Sequence, residues 1–284
     1  MKIVRTIAEV RRAAGEARAH GRAIGFVPTM GAFHAGHLSL MRRAREACGF
    51  VVVSLFVNPT QFNEAADLAA YPRDEAGDAA MAQAEQVDLL FAPSVDEIYP
   101  PGDRTVVDVH GLTEVLEGAS RGAGHFRGVT TVVARLFNIV QPDVAFFGQK
   151  DAQQALIVQR MVRDLAFPLR IEVCPTVREP DGLAMSSRNV RLSAADRRNA
   201  LALRHGLAVA EAAIASGERD GARVEQAGAA AMRDRGVEPE YLAVVSAETL
   251  KPVRPLAGRI LVAVAARVGP VRLIDNVIVE LPNA

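Results

Sequence analysis

Ala23-Ile24-Gly25-Phe26-Val27-Pro28-Thr29-Met30-Gly31-Ala32-Phe33-His34-Ala35-Gly36-His37 is the stretch on which the fold turns. Its first five residues form a short apolar run that reads as a buried strand. Pro28-Thr29-Met30-Gly31 stops that strand in a turn, and a helix is expected to start near Gly36 and to run to about Ala47. Residues 50–57 follow as a near-continuous apolar, β-branched run, which suits a parallel strand covered on both faces. Upstream, Thr6-Ile7-Ala8-Glu9 is a capping-box pattern opening a helix that runs to about Gly21.

The alternation continues downstream. Residues 88–92, 105–109, 144–147 and 170–174 are further strand candidates, separated by helical stretches around 74–86, 128–140 and 152–165. Strands alternating with helices imply an α/β fold: a Rossmann-like, doubly wound parallel sheet with helices on both faces. Such sheets bind ligands at the carboxyl ends of their strands. The loops after Val27, Val57 and Phe147 are therefore expected on one rim. From about Thr176 the texture changes to long Ala/Arg-rich helices, 194–216 and 222–235, then to strand-like segments 241–245, 259–268 and 271–280, the last two joined by Gly269-Pro270. The expected division is a first domain of residues 1–175 and a smaller C-terminal α+β domain of residues 176–284.

The 284 residues carry 33 Lys+Arg against 33 Asp+Glu, and 50% are hydrophobic. That balance describes a folded chain and speaks against a nucleic-acid partner. No apolar run approaches the roughly 20 residues of a membrane span, and the first residues show no secretory h-region. Cys48 and Cys174 lie far apart without metal-type spacing, which suits a reducing, cytoplasmic setting. Of the 33 basic residues only Lys2, Lys150 and Lys251 are lysine. An interior lysine in so Arg-biased a chain points to a need for a compact charge that Arg cannot mimic.

Chemistry-bearing residues cluster where strands are expected to end. His34 and His37 lie three apart where a helix begins, flanked by Gly31 and Gly36. A helix N-terminus presents unpaired N–H groups and a positive dipole end to a phosphate. Two imidazoles on its first turn could stabilise the charge that builds up there. The alternatives are core histidines or half of a metal site, for which the motif offers no acidic ligand. Asn58 and Gln61 carry neutral amides that donate and accept, as a substrate bearing hydroxyl and carboxylate groups requires. Lys150, in Gly148-Gln149-Lys150-Asp151, stands where a triphosphate would need a counter-ion, with Gln154 about one helical turn further on. Met185-Ser186-Ser187-Arg188-Asn189 offers hydroxyls and a guanidinium that can wrap a polyphosphate tail. There is no GxxxxGK[ST] and no GxGxxG after a strand, so neither a P-loop nor a dinucleotide site is expected.

In their order, Pro28-Thr29-Met30-Gly31…His34-Ala35-Gly36-His37, Asn58-Pro59-Thr60-Gln61-Phe62, Tyr71-Pro72-Arg73, His125-Phe126-Arg127-Gly128, Gly148-Gln149-Lys150-Asp151 and Met185-Ser186-Ser187-Arg188-Asn189 resemble the pantothenate synthetase family over nearly the whole chain. HxGH alone is shared with a wide nucleotidyltransferase superfamily that includes the class I aminoacyl-tRNA synthetases. The resemblance implies a ligase joining (R)-pantoate to β-alanine with ATP and Mg²⁺, through a pantoyl-adenylate, with AMP and pyrophosphate released. It implies that Met30, Gly31, Ala32, Phe33, His34, Ala35, Gly36 and His37 line the ATP site, with His37 as proton donor. It implies that Gln61 contacts pantoate and β-alanine, and that Gln154 contacts pantoate. Gly148, Gln149, Lys150 and Asp151 would bind ATP, Val177 would touch the adenine region, and Met185, Ser186, Ser187 and Arg188 would close over the β- and γ-phosphates. The Mg²⁺ ligands are not given by the resemblance. The family is typically a cytoplasmic homodimer.

Two departures stand out. Phe33 replaces the family's usual Leu, and 120–126 has lost the proline of an Arg-Pro-Gly-His-Phe motif while carrying one extra residue, which leaves Arg121 out of the expected site. Two other readings compete. A nucleotidyltransferase acting on a phosphorylated alcohol has no need of Asn58, Gln61 and Gln154, and a non-catalytic nucleotide sensor has no need of paired histidines with Lys150.

Overall fold

The computed structural model describes residues 1–63 and 65–282. By contact the chain divides into two compact units, Met1–Gly148 with Ile157–Pro175, and Gln149–Leu156 with Thr176–Ala284. The division differs from the sequence reading at Gln149–Leu156, which groups with the second unit. The reason is polar: the Asn276 amide donates to the carbonyls of Gln149 and Lys150.

The first unit is built on a six-stranded sheet. Its strands are β1 (Lys2–Val4), β2 (Ile24–Thr29), β3 (Phe50–Leu55), β4 (Leu89–Phe91), β5 (Val144–Gly148) and β6 (Arg170–Cys174). They lie in the order β1-β4-β3-β2-β5-β6, every pair parallel. Phe50 to Val53 of β3 are buried, the mark of a strand covered on both faces. The order reverses direction between β2 and β5, and ligands bind such sheets at that switch point. Phe26 of β2 meets Phe137 edge-on, with ring centroids 6.4 Å apart. That contact fastens the helix Ala123–Val140 to the sheet centre.

Two local expectations fail. β1 escapes the sequence reading, because Lys2-Ile3-Val4 is short and has only Val4 buried. Residues 105–109 form no strand. Their β-branched residues suggest one, but the Val107 N–H is taken by Thr131 Oγ1 at 2.9 Å and its carbonyl by Thr130 Oγ1 at 2.5 Å. Both groups a ladder would need are thus held by a helix, and Val106 is left 61% exposed.

The second unit is α+β, with an antiparallel sheet of three strands, β7 (Pro239–Ser246), β8 (Arg259–Val268) and β9 (Val271–Glu280). Gly269, at φ 54°, turns β8 into β9. The helices Ala194–Ala215 and Gly221–Arg233 cross where Gly206 meets Gly228. A Cβ on Gly206 would lie 2.9 Å from the Gly228 carbonyl, so only glycine permits that approach.

Candidate active site

The turn after β2 delivers both histidines. His34 is the N-cap of the helix Ala35–Ala47, extended at φ −145° and ψ 174°, and its Nδ1 accepts the Gly36 N–H at 3.1 Å. A neutral imidazole that accepts on Nδ1 carries its proton on Nε2. The other face of His34 is therefore a donor. The His37 ring lies 4.2 Å from the His34 ring, centroid to centroid, tilted by 40°. Phe33 backs His37 at 5.5 Å. Both histidines are half-buried.

A residue absent from the sequence reading holds that turn in shape. Asp78, only 2% exposed, accepts the N–H of Ala32 at 2.9 Å and of Phe33 at 2.7 Å. Burial raises its pKa, against the lowering effect of those two N–H groups. The turn needs this brace because Ala32 sits at φ 52° and Gly31 at φ 87°. The left-handed region is unfavourable for alanine. A Cβ on Gly31 would reach within 2.6 Å of Leu55 Cδ1 and 2.8 Å of Asp78 Oδ2.

The loop after β3 places the amides. Asn58 caps the 3₁₀ turn Pro59–Gln61 and is 1% exposed. Its Oδ1 accepts the Tyr99 hydroxyl at 2.8 Å and the Thr60 N–H at 3.3 Å, while its Nδ2 donates to Gly128 O at 3.1 Å and to Gln61 Oε1 at 2.9 Å. A backbone N–H can only donate and a backbone carbonyl only accept, so the orientation of Asn58 is fixed. Gln61 in turn directs its Nε2 toward Met30 Sδ, 3.2 Å away. The Asn58–Gln61 loop thereby meets the histidine turn inside the first unit. A His125 ring nitrogen lies 2.8 Å from the Gln61 carbonyl, and a Cβ on Gly128 would strike Thr60 O at 2.4 Å. Arg121, left out of the expected site, pairs with Glu117 at 2.9 Å.

In the second unit Gln149–Asp151 forms a 3₁₀ turn leading into the helix Ala152–Asp164, on which Gln154 is half-buried. Lys150 Nζ lies 3.6 Å from Asp151 Oδ1. Val177 and Met185 are joined by a backbone hydrogen bond of 3.0 Å, the open end of a narrow hairpin that also pairs Arg178 with Ala184. Ser186 caps the 3₁₀ turn Ser187–Arg191 through its hydroxyl, which accepts the Arg188 N–H at 3.2 Å. Asn189 donates to Glu179 at 2.7 Å and to the Ala184 carbonyl at 3.1 Å. Arg197 grips Glu179 and Asp181 at 2.8 and 2.7 Å, holding both carboxyls below their usual range. Gly148 closes β5 in the first unit.

Paired imidazoles on a helix N-terminus beside the switch point of a parallel sheet describe an α/β enzyme built for phosphate chemistry. The sequence narrows that class. Residues 2–278 match the family model for pantoate–β-alanine ligase. A pantothenate synthetase of Moorella thermoacetica is 54% identical over 285 residues, covering 99% of each chain. One of Heliobacterium modesticaldum is 53% identical over 282 residues, covering 99% of this chain and 100% of its own. The crystal structure of pantothenate synthetase from Thermus thermophilus superposes with a TM-score of 0.92 at 49% identity, covering 98% of this chain and 99% of that one. The Francisella tularensis pantoate–β-alanine ligase, solved with β,γ-ATP and β-alanine, gives 0.78 at 34% identity, covering 98% of this chain and 97% of that one. The chain belongs to the pantoate–β-alanine ligase family, and its activity is the ATP-dependent condensation of pantoate with β-alanine to pantothenate.

Proposed function

We propose that the condensation runs through a pantoyl-adenylate, with the paired imidazoles steadying the α-phosphate. A carboxylate is a poor electrophile near neutral pH, so it must first acquire a leaving group. A carboxylate oxygen of pantoate attacks the α-phosphorus; the new P–O bond forms as the bond to the β-phosphate oxygen breaks, and pyrophosphate leaves. The β-alanine amine then attacks the acyl carbon and AMP departs. No protein nucleophile takes part. The chain positions reactants and stabilises charge.

His34 and His37 carry the central role. The observation behind it is their ring separation of 4.2 Å on the first turn of the helix after β2, together with the Gly36 contact that leaves the His34 proton on Nε2. His37 also serves as proton donor. Met30, Gly31, Ala32, Phe33, Ala35 and Gly36 shape the ATP-binding turn around them. Gln61 binds pantoate and β-alanine and Gln154 binds pantoate. The buried amide of Asn58 serves the same substrate pocket through its hydrogen bond to Gln61.

ATP is also bound by Gly148, Gln149, Lys150, Asp151, Val177, Met185, Ser186, Ser187 and Arg188. Lys150 supplies a compact charge for the phosphates, and the Ser186–Arg188 segment supplies donors for the β- and γ-phosphates. Mg²⁺ arrives with ATP. No cluster of three or more His, Cys, Asp or Glu side chains that could hold a metal occurs among the described residues. Such a cluster is not required, because Mg²⁺ is usually held by substrate phosphates, waters and one or two carboxylates. Asp151, half-exposed beside Lys150, is a carboxylate that fits. Bound there, the ion would neutralise phosphate charge.

The enzyme is proposed to act as a homodimer in the cytoplasm. Cys48 and Cys174 are buried free thiols, as a reducing compartment favours; burial pushes the Cys174 thiol up to about 11. Among the described residues no helix is long and apolar enough to cross a membrane. The decisive assay is exchange of labelled pyrophosphate into ATP without β-alanine. Exchange that depends on pantoate is expected. Its absence in active enzyme would overturn the adenylate route.

A further inference from the structure

The two stretches of the second unit assigned to ATP, Gln149–Asp151 and Met185–Arg188, are both tied to adjacent residues of β9. Asn276 is 3% exposed. Its Nδ2 donates to Gln149 O and to Lys150 O, both at 2.9 Å, and its Oδ1 lies 3.4 Å from Gln149 Nε2. Asp275, 4% exposed, receives both terminal nitrogens of Arg178, at 2.7 and 3.0 Å. Arg178 also donates to the Gly182 carbonyl at 3.1 Å and pairs with Ala184, so it braces the hairpin from which Met185 emerges. Asp275 Oδ1 accepts the N–H of Asn276 at 2.7 Å, which joins the two anchors.

Nothing in the sheet requires these residue types. Asp275 and Asn276 stand opposite Val264 and Ala263 of β8, on a strand whose other buried residues are Val and Leu. Buried polar groups are stable only when partnered. Here the partners are the backbone that carries Lys150 and the root of the serine loop. A carboxylate–guanidinium fork also fixes direction as well as distance.

We propose that Asp275-Asn276 is a positioning pair for nucleotide phosphates. Asn276 sets the carbonyl path that aims Lys150, and Asp275, through Arg178, sets the hairpin that aims Met185–Arg188. Neither residue touches substrate. The inference rests on the assignment of those two segments to ATP, and the controls separate the two claims.

The experiment measures KM for ATP, KM for pantoate and thermal melting in full-length Asn276→Ala, Asp275→Asn and Lys150→Ala enzymes. Loss of aim should raise KM for ATP by about tenfold in the Asn276 and Asp275 variants, equivalent to the loss of a hydrogen bond or so. KM for pantoate should stay within about twofold. A merely structural role would lower the melting temperature and the active fraction while leaving both KM values alone, and that result overturns the proposal. A parallel rise in both KM values overturns it too. If Lys150→Ala leaves KM for ATP unchanged, the ATP assignment itself fails. If Lys150→Ala raises it and the β9 variants do not, only the positioning claim fails. Should Asn276→Ala not fold, Asn276→Ser keeps one donor in a smaller side chain and reads the same KM split.

Discussion

The histidine turn of the first unit and the segments of the second proposed to bind the phosphates are both loops given a defined shape by buried polar groups, but the connections differ in reach. The turn at Met30–His37 is closed by its own strand and helix and braced from within the first unit by Asp78 and by Gln61, which directs its amide at Met30. Lys150 is tied to a β9 residue 126 positions along the chain, and the hairpin that carries Met185–Arg188 is tied to β9 through Arg178, 97 positions from its partner. The electrostatics differ in sign as well. Asp78 is held by backbone N–H groups and burial raises its pKa, whereas hydrogen bonds from Arg197 hold Glu179 and Asp181 low. The lesson is that one loop can be given its shape largely from nearby and another from a distant strand, so substitutions in the two should fail in different ways.

The largest failure is expected at the imidazoles. His34→Ala or His37→Ala should cut turnover by on the order of 10²-fold or more, because on the proposed mechanism each removes a donor to developing charge, while circular dichroism and melting stay near wild type. Near-normal rates in both variants would contradict their roles. Asp78→Asn comes next. It sets an amide N–H against one of two backbone donors, so turnover should fall by roughly tenfold and melting by several degrees, with a smaller change in KM for ATP than Asn276→Ala produces. An unchanged rate would show that the turn keeps its shape without the carboxylate. Lys150→Arg should cost several-fold to about tenfold despite the retained charge, since a planar fork replaces a compact ammonium. Wild-type kinetics in that variant would remove the case for a special lysine.

The smallest effect is pH-dependent and contrasts the two regions directly. The raised pKa of Asp78 means that the folded state binds its proton more readily than the unfolded chain does. Its contribution to stability therefore grows as pH falls through the carboxylate range and is least above it. Glu179 and Asp181 behave oppositely: their stabilisation is present above the ordinary carboxylate pKa and is lost as pH falls through their lowered values. Hydrogen exchange followed from about pH 6 to about pH 3.5 should therefore show protection fading in 177–189 before it fades in 30–37. The reverse order would contradict the assigned environments.

Much of this is legible in the sequence, for reasons that particular residues make plain. The apolar run at 50–57 announces a covered parallel strand because both of its faces are buried, and His34-Ala35-Gly36-His37 announces a helix start because caps and glycines act within a few residues. Asp78 reads only as part of a helical stretch, since nothing in its neighbourhood says that it reaches Ala32 and Phe33. Asp275 and Asn276 read as strand for the same reason. Residues 105–109 mislead because β-branched composition reports a preference, whereas the hydroxyls of Thr130 and Thr131, well over twenty residues on, decide where the backbone groups go. Local patterning is visible in the sequence; long-range polar partnership is not.

The most direct measurement is a crystal structure of the enzyme with a non-hydrolysable pantoyl-adenylate analogue bound. The imidazoles of His34 and His37 should each place a ring nitrogen within about 3.2 Å of an oxygen on the α-phosphorus. An α-phosphate lying beyond hydrogen-bond reach of both rings, with the analogue otherwise fully ordered, would contradict the account at its centre.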